Sequence, residues 1–198
     1  MGIVTLVSGG LDSTLMSLMA KEEGLALFPL FVDYGQLAAE REWEACKRLH
    51  EKYGLPSVTR MDLSGFGRVI PSGITDRRLR LNEDAFLPGR NLLLVLAGAA
   101  HAFKVQAKSV ALALLNPIHH LFPDQTKEFI QAAEAMIETA MGTRIRIVTP
   151  LIEMSKSDVL AMAHARGLHD TYSCHAGGDT PCGICVSCVE VINARRRS

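Results

Sequence analysis

Two short stretches of the chain carry residue types that could do chemistry. The first is Ser8-Gly9-Gly10-Leu11-Asp12-Ser13-Thr14, placed directly after the apolar run 3–7. Glycines let successive backbone N–H groups turn toward one point and form an anion nest. A helix starting there adds its own unpaired N–H groups and the positive end of its dipole. Ser8, Ser13 and Thr14 add hydroxyl donors, so the chemistry indicated is phosphate binding. A tight strand-to-helix turn capped by Asp12 or Ser13 is the plainer alternative. The spacing is neither G-x-x-x-x-G-K-[ST] nor G-x-G-x-x-G, so a Walker loop is excluded and a dinucleotide site is unsupported. The second stretch is C-x7-C-x2-C-x2-C, formed by Cys174, Cys182, Cys185 and Cys188. With Gly177, Gly178 and Gly183 to turn the chain, four thiolates can surround one zinc ion tetrahedrally. No coordination position would stay open, so the ion would be structural. Buried free thiols, with Cys182 and Cys185 as a redox pair, are the alternative.

The elements that must position these residues alternate along the chain. Strand-like runs at 3–7, 25–32, 57–63, 109–115 and 145–149 are separated by helical patterns at 12–23, 38–53, 90–105, 125–141 and 155–166. Continuous β-branched runs between helices indicate parallel strands buried on both faces. Five such strands make a doubly wound, Rossmann-like α/β sheet. Pro29 counts against the second run, because proline removes a ladder donor. The irregular segments are 64–89, 116–124 and 169–188, and loops leaving the carboxyl ends of strands carry the site in such folds.

Composition narrows the function classes. The 198 residues suit one large domain with a small appendage. Lys plus Arg equals Asp plus Glu at 21 each, so no basic field advertises a nucleic acid or an anionic membrane. No apolar run approaches the length needed to span a bilayer, and "MGIVTLV" is too short for a signal-peptide core. The expected location is cytoplasmic, where clustered cysteines indicate metal before disulfides. Cys46, on a helix beside Trp43, reads as a core thiol.

Single residues add detail. Asp33 and Tyr34 follow the second strand, where nucleotide contacts belong, although a turn with Gly35 would also use them. Arg90 opens an otherwise apolar helix, a place where a cation is disfavoured unless an anion lies near. Ser155 and Asp158 have the spacing of a capping box. His101, His164 and His169 read as ordinary polar positions, whereas His119 and His120 occupy an irregular loop after a strand.

The loop "SGGLDST" resembles the pyrophosphate loop of the N-type ATP pyrophosphatases, whose pattern is S-G-G-x-D-S. With "FVDYGQ" (31–36), "LPGRN" (87–91), "TPLIEMSKSDV" (149–159) and "SCHAGGDTPCGICVSC" (173–188), the chain is similar to the 7-cyano-7-deazaguanine synthase family of queuosine biosynthesis from residue 3 to 188. The resemblance implies an ATP-pyrophosphatase domain over 1–168 and a zinc-binding segment over 169–198 packed on it. It implies ATP and Mg²⁺ at Ser8, Gly9, Gly10, Asp12, Ser13, Thr14, Asp33, Tyr34, Gly89 and Arg90. Asp12, Ser13, Arg90 and Lys156 would act on the phosphates, and the four cysteines would hold Zn²⁺. The substrate would be 7-carboxy-7-deazaguanine, with free ammonia as the nitrogen source and a nitrile formed through the amide. A homodimer is also implied. The family's substrate stretch, E-D-[YF]-S-G-Y-P-D-C-R, reads "NPIHHLFPDQT" here. Phe122, Asp124, Asn91, His119 and His120 are therefore the expected substrate residues, and altered handling of the 7-substituent or the nucleophile is expected. D-Y-G-Q, usually followed by a basic residue and histidine, is followed here by Leu37 and Ala38. The competing readings are a divergent paralogue that adenylates a 7-deazapurine carboxylate and stops at the amide or joins it to another amine, and a tRNA-thiolase-like enzyme.

Overall fold

The structure, a computed structural model, describes residues 2–115 and 122–196. Strands β1 (Gly2–Leu6), β2 (Ala26–Asp33), β3 (Thr59–Asp62), β4 (Ser109–Ala111) and β5 (Arg146–Val148) form one sheet in the order β3-β2-β1-β4-β5. Every pairing is parallel. Helices α1 (Leu11–Glu22), α2 (Ala39–Lys52), α3 (Gly65–Val69), α4 (Arg90–Lys104), α5 (Lys127–Met141), α6 (Lys156–Ala165) and α7 (Val186–Arg195) complete the described fold. The strand order reverses between β1 and β4, and in open α/β sheets the crevice at that switch point is where ligands bind.

Strand periodicity divides the core. Val4 and Leu6 of β1 join Leu30, Val110 and Ile147 under α4 and α5. Ile3 and Leu27 face the other way and pack with Leu15, Leu49 and Val159 of α1, α2 and α6. Gly98 lets α4 close on the sheet, since a Cβ there would lie 2.7 Å from Val110 Cγ1. That close packing explains a glycine inside a helix, where it costs about 1 kcal/mol relative to alanine.

The structure differs from the sequence expectations at particular places. Pro29 sits well inside β2, opposite Thr5. The Leu30 carbonyl accepts from the Val7 N–H on the β1 side, so Pro29 faces the β3 side, where pairing begins only at Leu30 and Thr59. No ladder bond is lost. The fourth strand ends at Ala111 rather than 115, because its neighbour β5 is only three residues long. Leu112 to Leu115 instead form part of a cavity wall. Helix α5 begins at Lys127, capped by Thr126 Oγ1 on the Phe129 N–H at 3.0 Å, and a short 3-10 turn, Pro123–Gln125, precedes it. Residues 169–196 lie against the α/β layers, with the Tyr172 N–H on the Gly9 carbonyl at 2.9 Å and Arg41 paired to Asp179. Among the described residues no helix is long and apolar enough to cross a membrane.

Candidate active site

The loop after β1 is built by its neighbours. Gly9 has φ +71°, and a Cβ there would lie 2.7 Å from the Glu42 carbonyl oxygen and 2.8 Å from the Cys46 nitrogen. The glycine therefore admits helix α2 as well as a left-handed turn. Gly10 is the N-cap of α1, and no side chain caps it; the first-turn N–H groups of the helix have no partner within it. Neither Asp12 nor Ser13 serves as cap. Ser8 and Ser13 lie with hydroxyls 3.2 Å apart, and the Thr14 hydroxyl turns back to the Gly10 carbonyl at 2.8 Å. An open helix start, two adjacent hydroxyls and a following dipole suit a polyphosphate.

Charged groups converge on that loop from distant parts of the chain. Lys156 Nζ meets both Asp12 carboxylate oxygens, at 2.7 and 2.8 Å. Lys156 is held at the start of α6 by the expected capping box: the Ser155 side chain accepts from the Asp158 N–H, and the Asp158 carboxylate from the Ser155 N–H. Arg90 begins α4, with Nε on Asn91 Oδ1 at 3.2 Å, and interacts with the Tyr34 hydroxyl. Burial pushes the Tyr34 phenol up to about 12. Asp33 closes the turn over the Gly35 N–H at 3.0 Å and pairs with Arg60 at 2.6 Å.

A cavity of about 710 Å³ connects these groups. Ser8, Gly10, Asp12, Ser13, Tyr34, Arg90 and Lys156 line it, as do Asn91 and Phe122. Gly9, Thr14, Asp33, Gly89 and Asp124 do not line it. Gly89 instead caps α4 at φ +76°. Asp124 accepts from the Asn91 N–H at 3.3 Å, its backbone carbonyl accepts from Asn91 Nδ2 at 2.9 Å, and its Oδ1 is buried without a partner among the described residues. Phe122 lies against Phe86 with ring centroids 5.0 Å apart. His119 and His120 lie outside the described residues.

Sequence reasoning missed two residues in the same wall. Glu42 on α2 is buried, accepts from Gln36 Nε2 at 2.9 Å, and is pushed up to about 7 by burial. His175, next to Cys174, has a buried Nδ1 with no partner among the described residues, and burial together with the charges of Arg90 and Lys156 holds the ring down to about 4. Neither belongs to a spacing pattern that sequence could have flagged, although Gln36 stands inside the quoted "FVDYGQ".

The four expected cysteines converge. Their sulfur atoms all lie within 4.8 Å of one another. A tetrahedral zinc with bonds of about 2.3 Å separates its sulfurs by roughly 3.8 Å, so one ion fits the donor set, and a multi-iron cluster would need the thiolates further apart. Backbone N–H groups of Cys182, Cys185 and Cys188 point at the sulfurs of Cys174, Cys182 and Cys185, at 3.3, 3.4 and 3.4 Å. Burial pushes the Cys174 and Cys185 thiols up, Cys185 to about 12; a cation is what would make them thiolates.

Comparison with known proteins agrees with this geometry. Residues 2–196 match the family described as "Queuosine biosynthesis protein QueC". The 7-cyano-7-deazaguanine synthase of Campylobacter curvus is 33% identical over 197 residues, covering 93% of this chain and 88% of that protein. The enzyme of the same name from Methanothermobacter thermautotrophicus is 31% identical, covering 100% of this chain and 94% of that one. A solved U34-tRNA thiolase from Methanococcus maripaludis, with a [4Fe-4S] cluster, superposes with TM-score 0.54 at 13% identity, covering 99% of this chain and 72% of that one. That likeness shows a shared fold alone. Matched along nearly its whole length, the chain belongs to the QueC family of queuosine biosynthesis proteins, and it is an ATP-using enzyme of that family.

Proposed function

We propose that the protein adenylates 7-carboxy-7-deazaguanine and lets ammonia displace AMP, giving the amide and then, through a second activation, 7-cyano-7-deazaguanine. A substrate carboxylate oxygen attacks the α-phosphorus of ATP, and the α–β bridge breaks to release pyrophosphate. Nitrogen then adds to the acyl carbon as the bond to AMP breaks. In the second round the amide oxygen is adenylated, and loss of AMP and a proton leaves the nitrile. The observation that carries this reading is one cavity lined both by the open start of α1 and by Asn91, Arg90 and Phe122.

Ser8, Ser13 and the α1 N–H groups would hold the departing pyrophosphate, with Lys156 and Arg90 as auxiliary cations. Mg²⁺, held by Asp12 and the phosphates, would neutralise the charge that develops. Asp124 is outside the cavity lining, but its Oδ1 has no partner among the described residues and its carboxylate accepts from the N–H of the cavity-lining Asn91, which supports a role in reading N–H groups of a purine-like base. Zn²⁺ at the four cysteines would be structural. An exposed apolar stripe on α4, Leu96 and Phe103, supports the expected homodimer, and the absence of a spanning helix among the described residues is compatible with a cytoplasmic enzyme. A thiolase reading is disfavoured, because the thiol outside the metal set, Cys46, is fully buried and pushed up by that burial. Mass spectrometry after incubation with ATP, Mg²⁺, ammonia and 7-carboxy-7-deazaguanine tests the proposal: AMP, pyrophosphate and the nitrile are expected. ADP and inorganic phosphate as primary products would replace it with an acyl-phosphate mechanism. Accumulation of the amide alone would restrict it to the first round.

A further inference from the structure

The acids in the cavity wall are not equivalent. Asp12 is met by Lys156 with two short bonds. Glu42 is held instead by the neutral amide of Gln36. That amide has a fixed orientation, because its oxygen accepts from the Tyr34 N–H at 2.9 Å while its nitrogen reaches the Val32 carbonyl at 3.4 Å and Glu42. Helix α2 seats Glu42 beside the phosphate loop, its carbonyl almost touching Gly9. The side chain is 9% exposed and lines the cavity. The titratable groups that face it are Arg90 from α4, Asp33 and Tyr34 at the end of β2, Tyr172 from the C-terminal segment, and Cys46 on its own helix.

Resting on the adenylation reading, we propose that Glu42 is a catalytic residue that takes the proton of the incoming ammonium. Ammonium is the species that predominates near neutral pH, and it has no lone pair to attack with. A carboxylate in a water-poor wall both attracts the cation and accepts its proton. The freed nitrogen adds to the acyl carbon, and the bond to AMP breaks with its electron pair leaving on the phosphate oxygen. The balance is acyl adenylate plus ammonium giving amide, AMP and two protons. Glu42 takes the first proton and solvent the second. Burial pushes the Glu42 carboxyl up to about 7, against the opposing pull of Gln36 and Arg90, and a base so poised exchanges protons efficiently at neutral pH.

Hydroxylamine is the discriminating nucleophile, because it is already neutral at pH 7 and needs no base to free its lone pair. With the holoenzyme, ATP, Mg²⁺ and 7-carboxy-7-deazaguanine, product formation is measured with ammonium and with hydroxylamine. In Glu42→Gln the ratio of ammonium-dependent to hydroxylamine-dependent rate is expected to fall about 100-fold. The inflection of the ammonium-dependent rate near pH 7 is expected to be replaced by a steady rise that follows free ammonia. Gln36→Leu keeps the carboxylate but removes a bond that stabilises its charge, so the inflection should move to higher pH. An unchanged ratio in a folded Glu42→Gln, or an unmoved inflection in Gln36→Leu, overturns the assignment. If the wild-type protein makes no hydroxamate and releases no pyrophosphate, the adenylation reading falls and Glu42's role falls with it.

Discussion

The phosphate loop, residues 8–14, and the cysteine loop, residues 172–188, touch each other and are held by opposite means. The Tyr172 N–H bonds to the Gly9 carbonyl, and a Cβ on Gly10 would lie 3.3 Å from Ser173 Oγ. Yet the first loop is clamped between β1 and α1, whose Val4 and Leu15 are fully buried. Its shape follows from packing on both sides. The second has no strand or helix until α7 begins at Val186. There the chain converges through N–H to sulfur bonds and the four thiols themselves. One loop inherits rigidity from the core, and the other brings together four thiols that could hold an ion. Because residues of both loops line one cavity, an ion held by the thiols would brace that wall as well.

The sharpest way to break this contrast is to remove the ion. Cys185→Ser is expected to abolish metal retention, measured by elemental analysis, and to collapse amide protection over 172–188 while β1 and α1 stay protected. Structural zinc contributes on the order of 10 kcal/mol in small domains, so this is the largest effect expected. Stoichiometric zinc retained in a Cys182/Cys185 double variant would rule out the metal assignment. Next comes Lys156→Ala, which should slow pyrophosphate release about 100- to 1,000-fold with little change in Tm. Equal losses of rate and stability would make the Lys156–Asp12 pair a structural strut. Gly9→Ala tests the packed loop: a left-handed φ and contact with the α2 backbone should cost about 1–3 kcal/mol, read by denaturant unfolding, with zinc still bound.

A smaller effect concerns Glu42, whose folded pKa is raised to about 7 by burial. The folded state therefore favours the protonated acid. That stabilisation is full below the ordinary carboxylate range near 4.5 and is lost as pH rises through about 7. Glu42→Gln should consequently raise Tm relative to wild type at pH 8 more than at pH 5, as followed by calorimetry. The reverse ordering would mean that the carboxylate is stabilised, not strained, by its site. The smallest effect is expected at Arg41→Ala, which removes an exposed pair with Asp179 on the cysteine loop. Exposed pairs contribute little, so Tm and metal content should stay unchanged. A loss of zinc there would show that the α/β layers also help hold the cysteine loop.

Local patterns were legible and long-range partners were not. The Ser155–Asp158 capping box, the helix start at Arg90 and the cysteine spacing all depend on residues a few positions apart, and the structure contains each of them. Asp33 reads as a nucleotide contact because it ends a strand, whereas its Arg60 partner, 27 residues on, belongs to no local pattern. The Lys156–Asp12 pair spans 144 residues. The fourth strand is longer in the sequence pattern than in the structure because an apolar run that lines a cavity has the same composition as one that lines a sheet.

The sequence by itself determined the parallel α/β alternation, the glycine loop after β1 and the convergence of four cysteines able to hold a metal, since periodicity and short spacings encode backbone geometry directly. Only the tertiary structure decided which charges meet and which are stripped of water. Glu42 shows why. On α2, among Arg41, Trp43 and Glu44, it reads as one more surface acid. It becomes a buried group at the cavity because Gly9, some thirty residues earlier, has no side chain to keep the helix away. Burial is a property of the assembled neighbours, and a carboxylate's proton affinity follows from that burial rather than from its place in the chain.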